Sequence, residues 1–162
     1  MLILNELSIV ESTEKIASNT FQTFLNSPEI AASIKPGQFI NILPSGNWDK
    51  MMRRPMSVAG QKDGVISIIY KVVGDGTELM KNWYVGDTVD LIGPLGNYWD
   101  GYSDKLSILI GGGVGIAPIL NLNSYLEEIG EEKALIMGAR NSNEHFIDHN
   151  PGDKIYMTTD DG

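Results

Sequence analysis

One junction constrains the fold of this chain more than any other. The strand Lys105-Leu106-Ser107-Ile108-Leu109-Ile110 runs straight into Gly111-Gly112-Gly113-Val114-Gly115-Ile116-Ala117-Pro118, and Ala117 to Ile129 then reads as a helix closed by Gly130. A buried strand, a glycine turn and a helix in that order make a βα unit. Ala134 to Met137 and Lys154 to Thr158 read as further strands, with a short helical segment near Asn143 to Asp148 between them, which predicts a parallel sheet. A doubly wound nucleotide domain uses about five or six strands, and about three are counted before Gly162. The expectation for residues 101–162 is therefore the N-terminal part of a Rossmann-like α/β domain, truncated.

The first hundred residues have a different rhythm. Leu2 to Glu11, Thr20 to Leu25, Gln38 to Leu43, Met56 to Ala59, Val65 to Val73 and Thr88 to Ile92 are short β-prone runs separated by turns. About six such strands predict a small antiparallel barrel over residues 1–100. Pro28 to Ile34 and Gly76 to Trp83 read as short helices, the second with its threonine at the N-cap. The division between the halves falls near Tyr98 to Asp104.

Composition narrows the chemistry. In 162 residues, 12 Lys+Arg stand against 21 Asp+Glu, a formal charge of -9 that repels nucleic acid and anionic membrane surfaces. There is no cysteine, so no disulfide, thiolate zinc site or cysteine-held iron–sulfur cluster is built from these residues. The apolar stretch Leu106 to Leu122 is broken by glycines and Pro118, and the N-terminus lacks a basic leader segment. A soluble cytoplasmic protein is the expectation.

Against that acidic background, local anion-binding devices stand out. Gly113, Gly115 and Pro118 occupy the positions of GxGxxG with proline for the last glycine, a backbone that admits a pyrophosphate and aims a helix N-terminus at it. Arg53-Arg54-Pro55-Met56-Ser57 supplies guanidinium forks suited to phosphate and a hydroxyl suited to a heterocycle edge. Gly74-Asp75-Gly76-Thr77 opens a helix beside Lys71. The acidic ribose ligand expected about twenty residues past the glycine loop is missing; Arg140 stands there, leaving NAD and NADP both open. His145 and His149 lack a third metal ligand, and Trp83, Tyr84 and Trp99 read as barrel packing.

Taken together, Arg54-Pro55-Met56-Ser57, Ile69-Tyr70-Lys71, Gly76-Thr77, Gly93-Pro94-Leu95-Gly96-Asn97 and Gly111 to Pro118 resemble the ferredoxin-reductase-type flavoproteins. Within them the likeness is greatest to the electron-transfer subunits of class B dihydroorotate dehydrogenases. The resemblance implies an FAD-binding barrel followed by an NAD(P)-binding domain, with electrons passing from NAD(P)H through FAD to a partner. It implies that Arg54 holds the FAD pyrophosphate, Ser57 sits beside the flavin and Met56 takes a position often aromatic in the family. Pro55, Ile69, Tyr70, Lys71, Gly76 and Thr77 would complete the FAD site, and Gly112, Gly113, Val114, Gly115 and Pro118 would face the nicotinamide nucleotide.

Three departures accompany this resemblance. Tyr98-Trp99 replaces the family's Gly-Phe, Lys71 replaces an arginine, and the family's cysteine cluster for iron–sulfur would lie beyond Gly162. The implied partner is a catalytic dihydroorotate dehydrogenase-type subunit. A hydrogenase or ferredoxin:NADP oxidoreductase subunit, or a truncated, non-catalytic FAD-binding module, are the alternatives. An open sheet edge predicts oligomerisation or partial disorder near Lys154 to Gly162.

Overall fold

The computed structural model describes residues 2–45 and 52–161, so the outermost residues of the two expected domains, Met1 and Gly162, lie outside the described residues. Six antiparallel strands close into a barrel: β1 (Leu4–Ala17), β2 (Thr20–Asn26), β3 (Phe39–Leu43), β4 (Arg54–Lys62), β5 (Val65–Lys71) and β6 (Thr88–Leu95), in spatial order β1-β2-β5-β4-β3-β6. The expected strand at Leu2 to Glu11 is longer than its sequence pattern. β1 pairs with β6 through Leu4–Ile9 and with β2 from Ile9 onward, and register shifts at Val10/Ser12 and Lys15/Ala17 bend it from one partner to the other. Its polar residues beyond Glu11 conceal this continuation.

Two short helices decorate the barrel, α1 (Pro28–Ser33) and α2 (Asp75–Met80). The first turn of α1 is satisfied from another element. Glu6 of β1 accepts from the Ile30 amide at 2.9 Å, the Glu29 amide at 3.2 Å and the Ser27 hydroxyl at 2.7 Å, doing the work of a cap. In α2 the N-cap is Gly74, not the threonine expected there. Thr77 is the third helical residue and reaches back, its Oγ1 accepting from the amides of Val73 (2.9 Å) and Gly74 (3.2 Å).

β5 explains why its sequence is almost continuously apolar. Ile66, Ile68 and Tyr70 fill the barrel with Val10, Leu25, Ile40, Ile42 and Leu91. On its other face Ile69 packs with Ala59 and with Ala117 of the second unit. A strand covered on both sides loses the polar alternation of a half-solvated one.

The second unit is a parallel sheet of β7 (Ser107–Gly112), β8 (Lys133–Ala139) and β9 (Ile155–Thr159), with α3 (Ala117–Glu128) across one face. Leu109, Leu122, Leu126, Leu135 and Met137 form the core between helix and sheet. The opposite face is bare, with Ile108 and Ile110 61% and 64% exposed. The helical segment expected at Asn143 to Asp148 is only a 3₁₀ turn, Ser142–Glu144, because the Asn141 side chain accepts from the Asn143 amide and tightens it. Among the described residues, no helix is long and apolar enough to cross a membrane.

Replacing Glu6 with alanine strips α1 of its acceptors while leaving the barrel ladders intact. A loss of about 1–2 kcal/mol in urea unfolding is expected; an unchanged midpoint would contradict the capping role.

Candidate functional site

Two cavities meet where the barrel and the parallel sheet touch. The first, about 270 Å³, is walled by Pro55, Met56 and Ser57 of β4, by Ile69, Tyr70 and Lys71 of β5, and by Val73, Thr77, Val114 and Ala117. β4 and β5 are neighbours in the barrel, which is why motifs separated by a dozen residues in sequence converge on one groove. The second, about 520 Å³, lies at the C-terminal ends of β7, β8 and β9, where open parallel sheets bind ligands. Lys71, Gly112, Gly113, Val114, Gly138, Ala139, Arg140, Glu144, Thr158 and Asp160 line it. Lys71 and Val114 belong to both walls.

The two adjacent arginines have separate duties. Arg53 is engaged with the barrel, donating to the Asp90 carboxylate at 2.8 Å and to the Asp90 carbonyl at 3.2 Å. Arg54 donates to the Met52 carbonyl at 2.7 Å and lies against the start of α2, so close that a Cβ on Gly76 would sit 2.6 Å from its Nε. Glycine at position 76 is thus what leaves room for the Arg54 guanidinium. Neither arginine lines either cavity.

The glycine loop begins with a strand. β7 continues through Gly112, and Gly113–Ile116 form a 3₁₀ turn before α3. Gly113 has φ +52°, a left-handed conformation natural to glycine. Gly115 and Pro118 shape the turn and helix start and line neither cavity, whereas Gly112, Gly113 and Val114 do.

Glu144, which the sequence reading passed over, sits at the centre of the charges. Its carboxylate, 10% exposed, accepts from Arg140 Nη2 at 2.7 Å and from Lys71 Nζ at 3.0 Å. Arg140 first and Lys71 second hold its carboxyl at about 2, below its ordinary 4.5. The four-residue spacing of Arg140 and Glu144 is the one local trace of this pair in the sequence, and a weak one, because the segment between them is not an α-helix. Tyr70 is not poised for proton transfer: burial pushes its phenol up to about 12, with its hydroxyl 3.2 Å from Thr23 Oγ1.

The remaining sequence candidates lie elsewhere. His145 contacts the Thr158 carbonyl at 3.2 Å and His149 Nδ1 accepts from the Met157 amide at 3.2 Å, both on the sheet's rim. Among the described residues no group of three or more His, Cys, Asp or Glu side chains is placed to hold a metal. Trp83 packs on the barrel core and Trp99 lies over Gly37, but Tyr84 is 77% exposed, so the packing role expected of it does not hold. Its turn carries it outward, where its amide donates to Asp87.

No family model matches the chain. Among curated proteins it is 30% identical, over 94% of its length and 62% of the relative's, to the electron transfer subunit of dihydroorotate dehydrogenase B (NAD(+)) of Fusobacterium nucleatum. The Geobacillus kaustophilus subunit of the same name is 31% identical over 99% of this chain and 65% of its own. The chain thus spans somewhat under two thirds of these relatives. A solved NADH-dependent reduced ferredoxin-NADP oxidoreductase superposes with TM-score 0.83 at 30% identity, covering 97% of this chain and 58% of that one. Phthalate dioxygenase reductase shares the fold, with TM-score 0.77 at 22% identity over 99% of this chain and 52% of that one. The likeness read from the motifs, and the barrel-plus-parallel-sheet architecture, are both borne out.

Because Glu144 is held ionised by folding, its pairing contributes stability fully above its usual pKa of 4.5 and loses it as pH falls through about 2. Urea melts of the wild-type chain should therefore lose stability across pH 4.5 to 2 more steeply than those of Glu144→Gln. Parallel pH profiles for the two proteins would refute the pairing.

Proposed function

We propose, on the strength of this likeness, that the chain is the FAD-binding barrel (residues 1–100) and the leading portion of the NAD(P)-binding domain (residues 101–162) of an NAD(P)H-dependent electron-transfer subunit. It works in the cytoplasm beside a catalytic subunit of the dihydroorotate dehydrogenase type, in pyrimidine biosynthesis. The observation that carries the reading is the meeting of two unlike cavities along Lys71 and Val114.

The residues present fit the two ligands. The first cavity offers apolar surfaces from Pro55, Met56, Ile69, Val73 and Ala117, with Ser57, Lys71 and Thr77 as its polar groups, the lining suited to a flat heteroaromatic ring with one polar edge. Arg54, free of the carboxylate that occupies Arg53, presents a planar donor fork at the groove's end for a phosphate. The second cavity has a wall of Gly112, Gly113 and Gly138, where backbone and ligand approach without side chains between them. When bound, FAD supplies two-electron acceptance from a reduced nicotinamide and onward delivery of electrons. The chain's own part is to hold both ligands side by side, keep water from the apolar groove and neutralise phosphate charge. No side chain in either cavity is needed as a general acid or base.

The 0.83 superposition on the ferredoxin-NADP oxidoreductase favours a second reading with the same ligands and a different acceptor protein. Both readings predict the same behaviour of the chain itself. The protein loaded with FAD should lose its visible flavin absorbance when NADH is added without oxygen; retained colour would leave only a passive flavin-binding module. Arg54→Ala should weaken FAD retention about tenfold, as loss of a charged hydrogen-bond donor to phosphate does. Full flavin content after gel filtration of that variant would remove Arg54 from the site.

A further inference from the structure

We propose that Glu144 is a positioning residue: by holding Lys71 of the barrel and Arg140 of the parallel sheet on one carboxylate, it fixes the wall shared by the two cavities and so the alignment of the ligands in them. The assignment rests on the flavin and nucleotide reading above.

The geometry is specific. Lys71 closes β5, and its ammonium ends a flexible four-carbon stem that, untethered, samples many rotamers at the boundary of both cavities. Glu144 stops that motion with a 3.0 Å contact between side chains only 21% and 10% exposed. The Arg140 limb is 75% exposed and therefore screened by solvent, so the sheltered Lys71 limb is the one that ties the two units. The 3₁₀ turn that carries Glu144 is moored a second time: the Ser18 amide, in the β1–β2 turn, donates to the Asn143 carbonyl at 3.0 Å. That same barrel turn reaches the end of β5, where Val72 donates to the Asn19 carbonyl at 3.1 Å and Asn19 Nδ2 donates to the Val72 carbonyl at 2.6 Å.

Glu144 thus sits at the hub of a small frame made from the β1–β2 turn, the end of β5 and the turn after β8. Its negative charge is directed at two cations and is a poor partner for any phosphate. A carboxylate lining a nucleotide cavity is therefore useful for what it holds, not for what it binds. Transfer between two stacked rings is sensitive to placement, and a displacement of about 1 Å costs on the order of a hundredfold in rate.

Glu144→Gln tests this, since it keeps shape and one acceptor while removing the charge. In the full chain loaded with FAD, flavin content should match wild type. The limiting rate of anaerobic flavin bleaching by NADH should fall at least about tenfold, while the KM for NADH changes by less than about threefold. The long-wavelength charge-transfer absorbance between reduced nicotinamide and flavin should weaken, and Glu144→Asp should recover part of the rate. In the cofactor-free chain, amide exchange at Ser18 and Val72 should quicken about tenfold with the amides of Ile66 and Ile68 unchanged. Wild-type rate and exchange in Glu144→Gln overturn the proposal, as does a fall in rate matched by an equal fall in flavin content. Failure of the wild-type protein to bleach at all overturns the reading of NADH as the flavin's reductant instead, and the exchange measurement then still decides whether Glu144 moors the seam.

Discussion

The rest of the structure depends on β5 being buried on both faces. Inward, Ile66, Ile68 and Tyr70 complete the barrel; outward, Ile69 meets Ala59 and Ala117, with Ile16, Val114, Leu120 and Phe146 packed around them. Alanine at 59 and 117 keeps the contact thin, so the start of α3 approaches the barrel closely. That approach brings the glycine loop, which precedes α3, to the rim of the groove between β4 and β5. Apolar burial at the seam and the convergence of the two cavities are therefore one event, described once as packing and once as site assembly.

Charge is handled locally in a chain whose overall sign opposes anionic ligands. The net charge of -9 gives no long-range attraction for a dinucleotide, so under the proposed reading recognition would fall to a few cations near strand ends. Each of these cations has a tethered position. Arg53 is bound by Asp90, Arg54 is fitted over Gly76, and Lys71 and Arg140 share Glu144. Tethering lowers the entropy a cation would lose on meeting a ligand, so under the proposed reading phosphate-bearing molecules would be met without a basic surface.

Much of this was legible in the sequence, and the gaps have physical causes. The six barrel strands and the parallel unit follow from alternation and turn residues, whereas the grouping of Pro55 to Ser57 with Ile69 to Lys71 came from the family resemblance. β1 was under-read because its second half is polar and bent by bulges, a feature that periodicity does not carry. Thr77 was misplaced by three residues because a threonine can satisfy the first turn from the cap or from inside it, and only backbone geometry separates the two. Glu144 was invisible for another reason. Its i, i+4 relation to Arg140 is local, but its partner Lys71 is brought to it by tertiary packing across the seam. The same applies to Arg53 and Arg54, adjacent in sequence and indistinguishable by composition, whose partners, Asp90 for one and the start of α2 for the other, are supplied by tertiary packing.

The shared wall has a consequence of its own. Since Lys71 and Val114 face both cavities, a molecule seated in one changes the surface and the electrostatic field met by a molecule entering the other. Thermodynamic linkage makes that influence mutual: whatever factor the first occupant applies to the second's dissociation constant, the second applies to the first. Were both cavities occupied, the affinity of each occupant would depend on the other, and residues 71 and 114 are where the two would meet.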